Sequence, residues 1–394
     1  MRDTINEILL RYGANPHQKS ARAYMAQGDM PITVLNGSPG YINLLDALNA
    51  WQLVSELKEA TGLPAAASFK HVSPAGAAVA NPLSEELRRA YLVGDKELSP
   101  LATAYARARG GDRMSSYGDF AAMSDFMDES TALLLRPEVS DGVIAPGYTD
   151  AALKILSSKK GGKYLVMQMD PNYEPPDMEK RQLFGVWIEQ MRNSCKVDEA
   201  LLNNIVTEKK DVPPEVVRDL MVATVTLKYT QSNSIVVAYN GQVIGAGAGQ
   251  QSRIHCTRLA CAKADKWLLQ MHPRVLSLDF ADDLKRPNKM NAIDQFLLWD
   301  ELSDFERKNL SKNFKTPPKP LTHDEKREWV DKSSGLSLSS DGFIPFRDNI
   351  DRASRSGIGY VLEPGGSIAD DEVIQAANEY GMVVAFSGLR LFHH

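Results

Sequence analysis

Lys70 and His71 stand side by side between an apolar run at 64–69 and the small residues Ser73-Pro74-Ala75-Gly76. The run is predicted to be a short strand, and the small residues after it the start of a helix. A strand's carboxyl end beside a helix N-terminus is the crevice in which open α/β sheets bind ligands. Free N–H groups there favour anions. A cation beside an imidazole helps keep the imidazole neutral, which suits a base working near neutral pH. The local residues leave one alternative open, an exposed loop pair with no chemistry.

Other segments carry side chains that a ligand could use. Residues 11–18 read Arg-Tyr-Gly-Ala-Asn-Pro-His-Gln, a loop without apolar period whose Arg11 and Tyr12 could hold a phosphate. The glycine run Gly245-Ala-Gly-Ala-Gly249 follows an apolar strand and leads through Gln-Gln-Ser into Arg253, where a helix opens. It suits a nucleotide or phosphate loop, although its third glycine comes too early for the dinucleotide fingerprint. A tight turn without a ligand is the other reading. Cys256 and Cys261 lie within that helix, five residues apart and pointing in different directions, so they read as core thiols and no metal site is expected. Phe343 and Phe346, with Pro345, Asp348 and Asn349 around them, could stack a flat heterocycle and hydrogen-bond its edge. The final residues, Leu-Arg-Leu-Phe-His-His, read as a docked tail.

These segments need a layered scaffold, and the chain supplies one. Strands are predicted at 31–35, 64–69, 142–145 and 164–169, with a helix from Asn43 stopped at Gly62 and another at about 149–158. Three prolines within 170–177 mark a boundary. Beyond it a helix at about 213–228 leads to a strand at 234–239, a turn at Asn240-Gly241, and a long helix at 253–270. A charged, proline-bearing stretch reads as a helical insertion. Strands at 358–362 and 382–386 then flank a helix at 369–380, which Ser367 and Asp370 start in the manner of a capping box. The expected fold class is α/β: a first unit at 1–174, a second at 175–272 and 336–394, and a helical insert at 273–335.

Composition narrows the partners. A net charge of −5 over 394 residues argues against nucleic acid, which demands a clustered basic surplus. Three scattered cysteines fit reduced thiols rather than a disulfide framework. No apolar run is long enough for a membrane span, and a cytoplasmic location is expected.

Taken together, RYGANPHQ, LNGSPGYINLLDALNAWQLV, SFKHVSPAGAA, AYARARGGDRMSS, EVSDGVIAPGY, KYTQSNSI, IGAGAGQQSRIHCTRLA, SSDGFIPFRDNID and LRLFHH occur in order from Arg11 to His394. The chain thereby resembles the transformylase part of the bifunctional purine enzymes that join AICAR transformylase to inosine monophosphate (IMP) cyclohydrolase. The resemblance implies formyl transfer from 10-formyltetrahydrofolate to the 5-amino group of the aminoimidazole carboxamide nucleotide AICAR. It also implies two cytidine-deaminase-like α/β/α units without zinc, a homodimer with active sites across its interface, and in some relatives a structural monovalent cation such as potassium. Carried over residue by residue, Lys70 and His71 match the catalytic pair, and Asn233 orients the carboxamide. Arg11, Tyr12 and Arg390 match phosphate and orientation residues, and Gly118, Asp141, Arg253 and Phe343 other nucleotide contacts. Met114, Ile254, Pro345, Phe346, Asp348 and Asn349 match the folate region. Only about ten residues precede Arg11, so a separate protein is expected to supply the cyclohydrolase. The rival of another class is a zinc-free nucleotide sensor of the same fold, which would need neither Lys70-His71 nor a folate pocket.

Overall fold

Successive residues of a strand face opposite sides of a sheet, so a sheet covered on both faces is apolar throughout. The central strands here have that character: Ala66 belongs to one core and Ala65 and Ala67 to the other, and Val237 lies opposite Val236 and Ala238. The computed structural model describes residues 6–394. Its first half runs β1 (Glu7–Leu10), β2 (Ala21–Tyr24), β3 (Ile32–Asn36), α1 (Tyr41–Thr61), β4 (Ala65–Lys70), β5 (Ser73–Val79), α2 (Glu85–Ala90), α3 (Pro100–Gly111), β6 (Asp119–Met123), α4 (Glu129–Leu135), β7 (Ser140–Ala145), α5 (Asp150–Ser158) and β8 (Leu165–Met169). An exposed hairpin follows, β9 (Met178–Leu183) and β10 (Val186–Met191). Then come α6 (Pro214–Lys228), β11 (Ile235–Tyr239), β12 (Gln242–Gly247) and α7 (Arg253–Gln270). Four helices form the charged stretch: α8 (Pro273–Leu276), α9 (Arg286–Leu297), α10 (Asp304–Ser311) and α11 (His323–Val330). The chain closes with β13 (Leu336–Ser340), α12 (Asp348–Ser354), β14 (Ile358–Glu363), α13 (Asp370–Glu379) and β15 (Val383–Phe386).

Eleven strands form one mixed sheet in the order β15-β14-β13-β11-β12-β5-β4-β6-β7-β8-β3. Reading outward from the middle, β5-β4-β6-β7-β8 and β12-β11-β13-β14-β15 have the same order. Each set starts with an antiparallel hairpin, adds one antiparallel strand, and ends in two parallel pairings. The two sets meet edge to edge where Gln242 of β12 pairs with Ala78 of β5. The fold is therefore α/β with three layers. Helices α1 and α6 share the core on one face, and α3, α4, α5, α7, α12 and α13 lie over the other.

Local chemistry explains several boundaries. Gly62 stops α1 in a left-handed conformation, φ 69°, with its N–H on Lys58 O. Asp128 and Thr149 cap α4 and α5 through side-chain oxygens. At α13 half of the expected capping box forms: Asp370 accepts from the Ser367 N–H, while Ser367 Oγ receives the Ala369 N–H. The C-terminal tail is docked, with Leu391 buried, its N–H on Asp341 O, and His393 N–H on Ser232 Oγ.

Two expectations change. Residues 73–79 form a strand, β5, and not a helix, so Lys70-His71 lies in a hairpin turn with no helix N-terminus after it. Gly76 explains the small residues: a Cβ there would meet Ala108 O of α3 at 2.1 Å. The glycine run is likewise used for packing. Gly245 and Gly247 lie inside β12, where a Cβ would meet Ala260 O at 2.1 Å and Cys256 O at 2.3 Å of α7. Only Gly249 turns the chain, at φ 65°.

Candidate functional site

Hairpin loops of two residues with positive φ at both need residues that tolerate that conformation, above all Asn-Gly. Asn240-Gly241, joining β11 to β12, complies at both positions, and Phe184-Gly185, joining β9 to β10, at its glycine alone, with Phe184 at φ 48°. The third, between Lys70 and Ser73, is His71 (φ 54°) and Val72 (φ 58°), a histidine followed by a β-branched residue. Backbone strain of this kind costs on the order of 1–3 kcal/mol, and it persists only where the surroundings over-determine it. The surroundings are visible. Asp46, buried on α1, accepts the Val72 N–H at 2.7 Å, and Lys70 Nζ donates to Tyr117 O at 2.6 Å. Burial raises the Asp46 carboxyl above its ordinary value, while the Val72 N–H and the nearby His71 act the other way.

The turn opens into a cleft of about 460 Å³ lined by Arg11, Tyr12, Asp46, Lys70, His71, Gly118, Asp141, Lys160 and Lys163, among others. His71 is exposed there. Arg11 lies over the Tyr12 ring, 4.9 Å from its centre, and Lys160 pairs with Asp141 at 3.0 Å. Four cations against two carboxylates make this cleft suited to an anion, and an imidazole in it can exchange a proton.

A second cleft of about 810 Å³ lies at the carboxyl ends of the parallel strands β13, β14 and β15. It is lined by Asn233, Arg253, Phe343, Pro345 and Arg390, with Gly365, Gly366 and Phe392. Arg253, at the start of α7, is pinned: it donates to Ser234 O at 2.7 Å, pairs with Asp341, and reaches Asn233 Oδ1 at 3.1 Å. Asp341 also receives Ser232 Oγ at 2.6 Å and the Ser234 N–H at 3.0 Å. This network fixes the Asn233 amide with its oxygen occupied, leaving its nitrogen as a donor. Phe343 and Arg390 are exposed, and the Arg390 guanidinium stacks on Phe392 at 4.8 Å.

The sixteen expected site residues thus divide. Arg11, Tyr12, Lys70, His71, Gly118 and Asp141 meet in the first cleft, and Asn233, Arg253, Phe343, Pro345 and Arg390 in the second. Five line neither: Met114, Ile254, Phe346, Asp348 and Asn349. Met114 lines a separate cavity of about 240 Å³ beside Arg286 and Met290. Phe346 and Asp348 are exposed and Ile254 half-buried, whereas the Asn349 amide is buried and taken up by Thr257, Asp348 and the Phe346 carbonyl. Antiparallel pairing from β6 through β13 sets Gly118, Lys70, Asn233 and Phe343 along one rim of the sheet. β4 and β13 are four strands apart, about 19 Å at ordinary strand spacing. Sequence reasoning passed over Asp46, Lys160 and Lys163. Asp46 had a signal, a carboxylate at a buried position between Leu44 and Ala47, and the two lysines flank Gly161-Gly162.

Burial pushes the Cys256 and Cys261 thiols up, to about 11 and about 12, as inert core thiols require. Among the described residues no three His, Cys, Asp or Glu side chains are grouped to hold a metal, and no helix is long and apolar enough to cross a membrane.

Comparison with known proteins gives the family. The family profile described as AICARFT/IMPCHase bienzyme matches residues 3–263. A bifunctional purine biosynthesis protein PurH from Cereibacter sphaeroides is 30% identical over 391 residues, covering 98% of this chain and 59% of the relative. PurH proteins from Roseobacter denitrificans and a Ruegeria species are also 30% identical, with the same coverage. The chain therefore spans about three-fifths of the length of these relatives. With a family profile over most of its length and relatives matched nearly end to end, the chain belongs to the AICARFT/IMPCHase bienzyme family.

Proposed function

We propose that this protein works in purine biosynthesis as a formyltransferase, moving the formyl group of 10-formyltetrahydrofolate to the 5-amino group of AICAR. The observation that carries the reading is the strained His71-Val72 turn, which holds an exposed imidazole and the Lys70 ammonium in a cationic cleft. The amine is a poor nucleophile because its lone pair is delocalised into the imidazole ring. Catalysis must position it, take its proton and stabilise the oxyanion formed at the formyl carbon. His71 removes the proton as the new C–N bond forms. Lys70 stabilises the oxyanion or protonates the folate nitrogen as the old C–N bond breaks. Arg11, Lys160 and Lys163 supply charge for the nucleotide phosphate. In the second cleft Asn233 donates to the carboxamide oxygen, and Phe343 and Pro345 offer apolar surface to flat rings.

Since His71 and Asn233 lie in different clefts of one chain, we infer that a second copy completes each site, the first cleft of one facing the second cleft of the other. The test is an assay with 10-formyltetrahydrofolate and AICAR, following tetrahydrofolate and then IMP, alongside sedimentation to read the oligomeric state. AICAR-dependent release of tetrahydrofolate is expected. No release from a folded, dimeric protein would overturn the reading in favour of a nucleotide sensor.

A further inference from the structure

Where β13, β14 and β15 end, the three departing loops wall the second cleft, and all three are tied at Glu363, the last residue of β14. Its Oε2 accepts the Ile344 N–H at 2.8 Å, between the cleft residues Phe343 and Pro345, and the Gly365 N–H at 3.4 Å. Its main-chain oxygen accepts the Ser387 N–H at 2.8 Å and Ser387 Oγ at 3.2 Å, and the Pro364 carbonyl takes the Gly388 N–H at 3.1 Å. The side chain is 1% exposed, and Oε1 has no hydrogen-bond partner. A buried carboxyl with one orphaned oxygen is costly, and such a group calls for an explanation beyond packing.

We propose that Glu363 is the positioning residue of the second cleft, a tie that sets how closely its loop walls approach and how firmly they seat the flat heterocycle of a folate. The ligand class rests on the function proposed above, and the tie itself does not. The tie also responds to protons. Burial pushes the Glu363 carboxyl up to about 7, Asp370 at the start of α13 adds to the rise, and the two amide donors and Arg253 of α7 oppose it. Its register partner on β15 is the uncharged Phe386, and β13 ends in Ser339 and Ser340. On α12, Asp351 and Arg352 are paired with Arg347 and Asp265, and Asp348 receives the Asn349 amide. Behind the sheet, the α6 charges Asp219 and Lys228 are paired with Arg218 and Glu56. Ionised, Glu363 accepts from Ile344 and Gly365 through charge-assisted bonds, but these do not offset the cost of burying the charge. The closed cleft holds the proton more tightly than an opened, hydrated carboxyl would, so the tie is firmest below neutrality and loosens as pH rises through about 7.

Hydrogen exchange of the unliganded full chain at pH 6 and pH 8.5, corrected for intrinsic rates, reads the tie directly. Peptides covering 343–346 and 364–367 are expected to be about tenfold better protected at pH 6 than at pH 8.5 in the wild type. In Glu363→Gln they are expected to be equally protected at both pH values, with the β4–β5 hairpin unchanged as a folding control. Equal protection in the wild type at both pH values, or a pH difference that survives in Glu363→Gln, would overturn the proposal. Titration with tetrahydrofolate at the same two pH values tests the ligand. Tighter binding at pH 6 in the wild type alone supports the seat. Binding that ignores pH while the loops respond would overturn the link to the ligand. Loops that respond in a protein binding no tetrahydrofolate would uphold the tie and overturn the folate reading.

Discussion

The two halves of the sheet contain the same hairpin, β4–β5 and β11–β12, and differ at its turn. In the second half the turn is Asn240-Gly241, a pair suited to its positive φ values, and it is closed off. Buried Asp219 accepts both of its N–H groups at 2.6 Å, and Arg107 donates to the Asn240 carbonyl. In the first half the turn is His71-Val72, whose β-branched second residue is unsuited to the same conformation; it is held by Asp46 through the Val72 N–H and is open to a cleft. Burial raises Asp46 and Asp219 alike above the ordinary carboxylate value. On the function proposed above, the same architecture serves stability at one end of the sheet and chemistry at the other. Val72, a β-branched residue at positive φ beside a cationic cleft, is the local inconsistency on which the proposal of chemistry at that end rests.

The comparison breaks most visibly at His71. Asn adopts positive φ readily, so His71→Asn is expected to keep the hairpin while turnover falls by about 10²–10⁴-fold, the usual worth of a general base. Near-normal kcat with nucleotide still bound would return the pair to an ordinary loop. The opposite turn should respond in the opposite sense. Asp219→Ala strands two amides and Arg218, and is expected to lower stability by about 2–3 kcal/mol in urea unfolding, with activity per folded molecule unchanged. A loss of activity without a shift in midpoint would erase the contrast. The smallest effect belongs to Val72→Gly, which relieves a β-branched residue at φ 58° and should raise stability by about 1 kcal/mol while lowering kcat. A destabilised Val72→Gly would mean that the turn is not strained.

Periodic elements were the most legible in the sequence. Helix α1 follows from apolar spacing and its glycine stop, because a helix that buries one or more faces must repeat at 3.6 residues, and α6 and α7 lie where the sequence places them. The strand β5 was misread as a helix because small residues carry no period. They are small because α3 passes within contact of Gly76. The same cause accounts for Gly245 and Gly247, where sequence left a phosphate loop and a ligand-free turn both open and the structure shows a close helix crossing. The hairpin β9–β10, with every residue exposed, follows the proline-rich boundary where the second α/β unit was expected to begin, and α6 starts only at Pro214.

The sequence by itself determined the chemical inventory: Lys70 beside His71, the cations Arg11 and Arg390, the aromatic Phe343, the α/β alternation, and a likeness running along the whole chain. Only the tertiary structure decided which of these meet. Strand order and antiparallel pairing place Lys70 and Phe343 on one rim of the sheet, about 19 Å apart, and so divide the expected site between two clefts. It alone revealed that His71 and Val72 occupy a strained turn held by Asp46, and that three loops converge on Glu363. Spacing along a chain is a local property, whereas contact between Asp46 and Val72, or Glu363 and Ile344, depends on how distant segments pack.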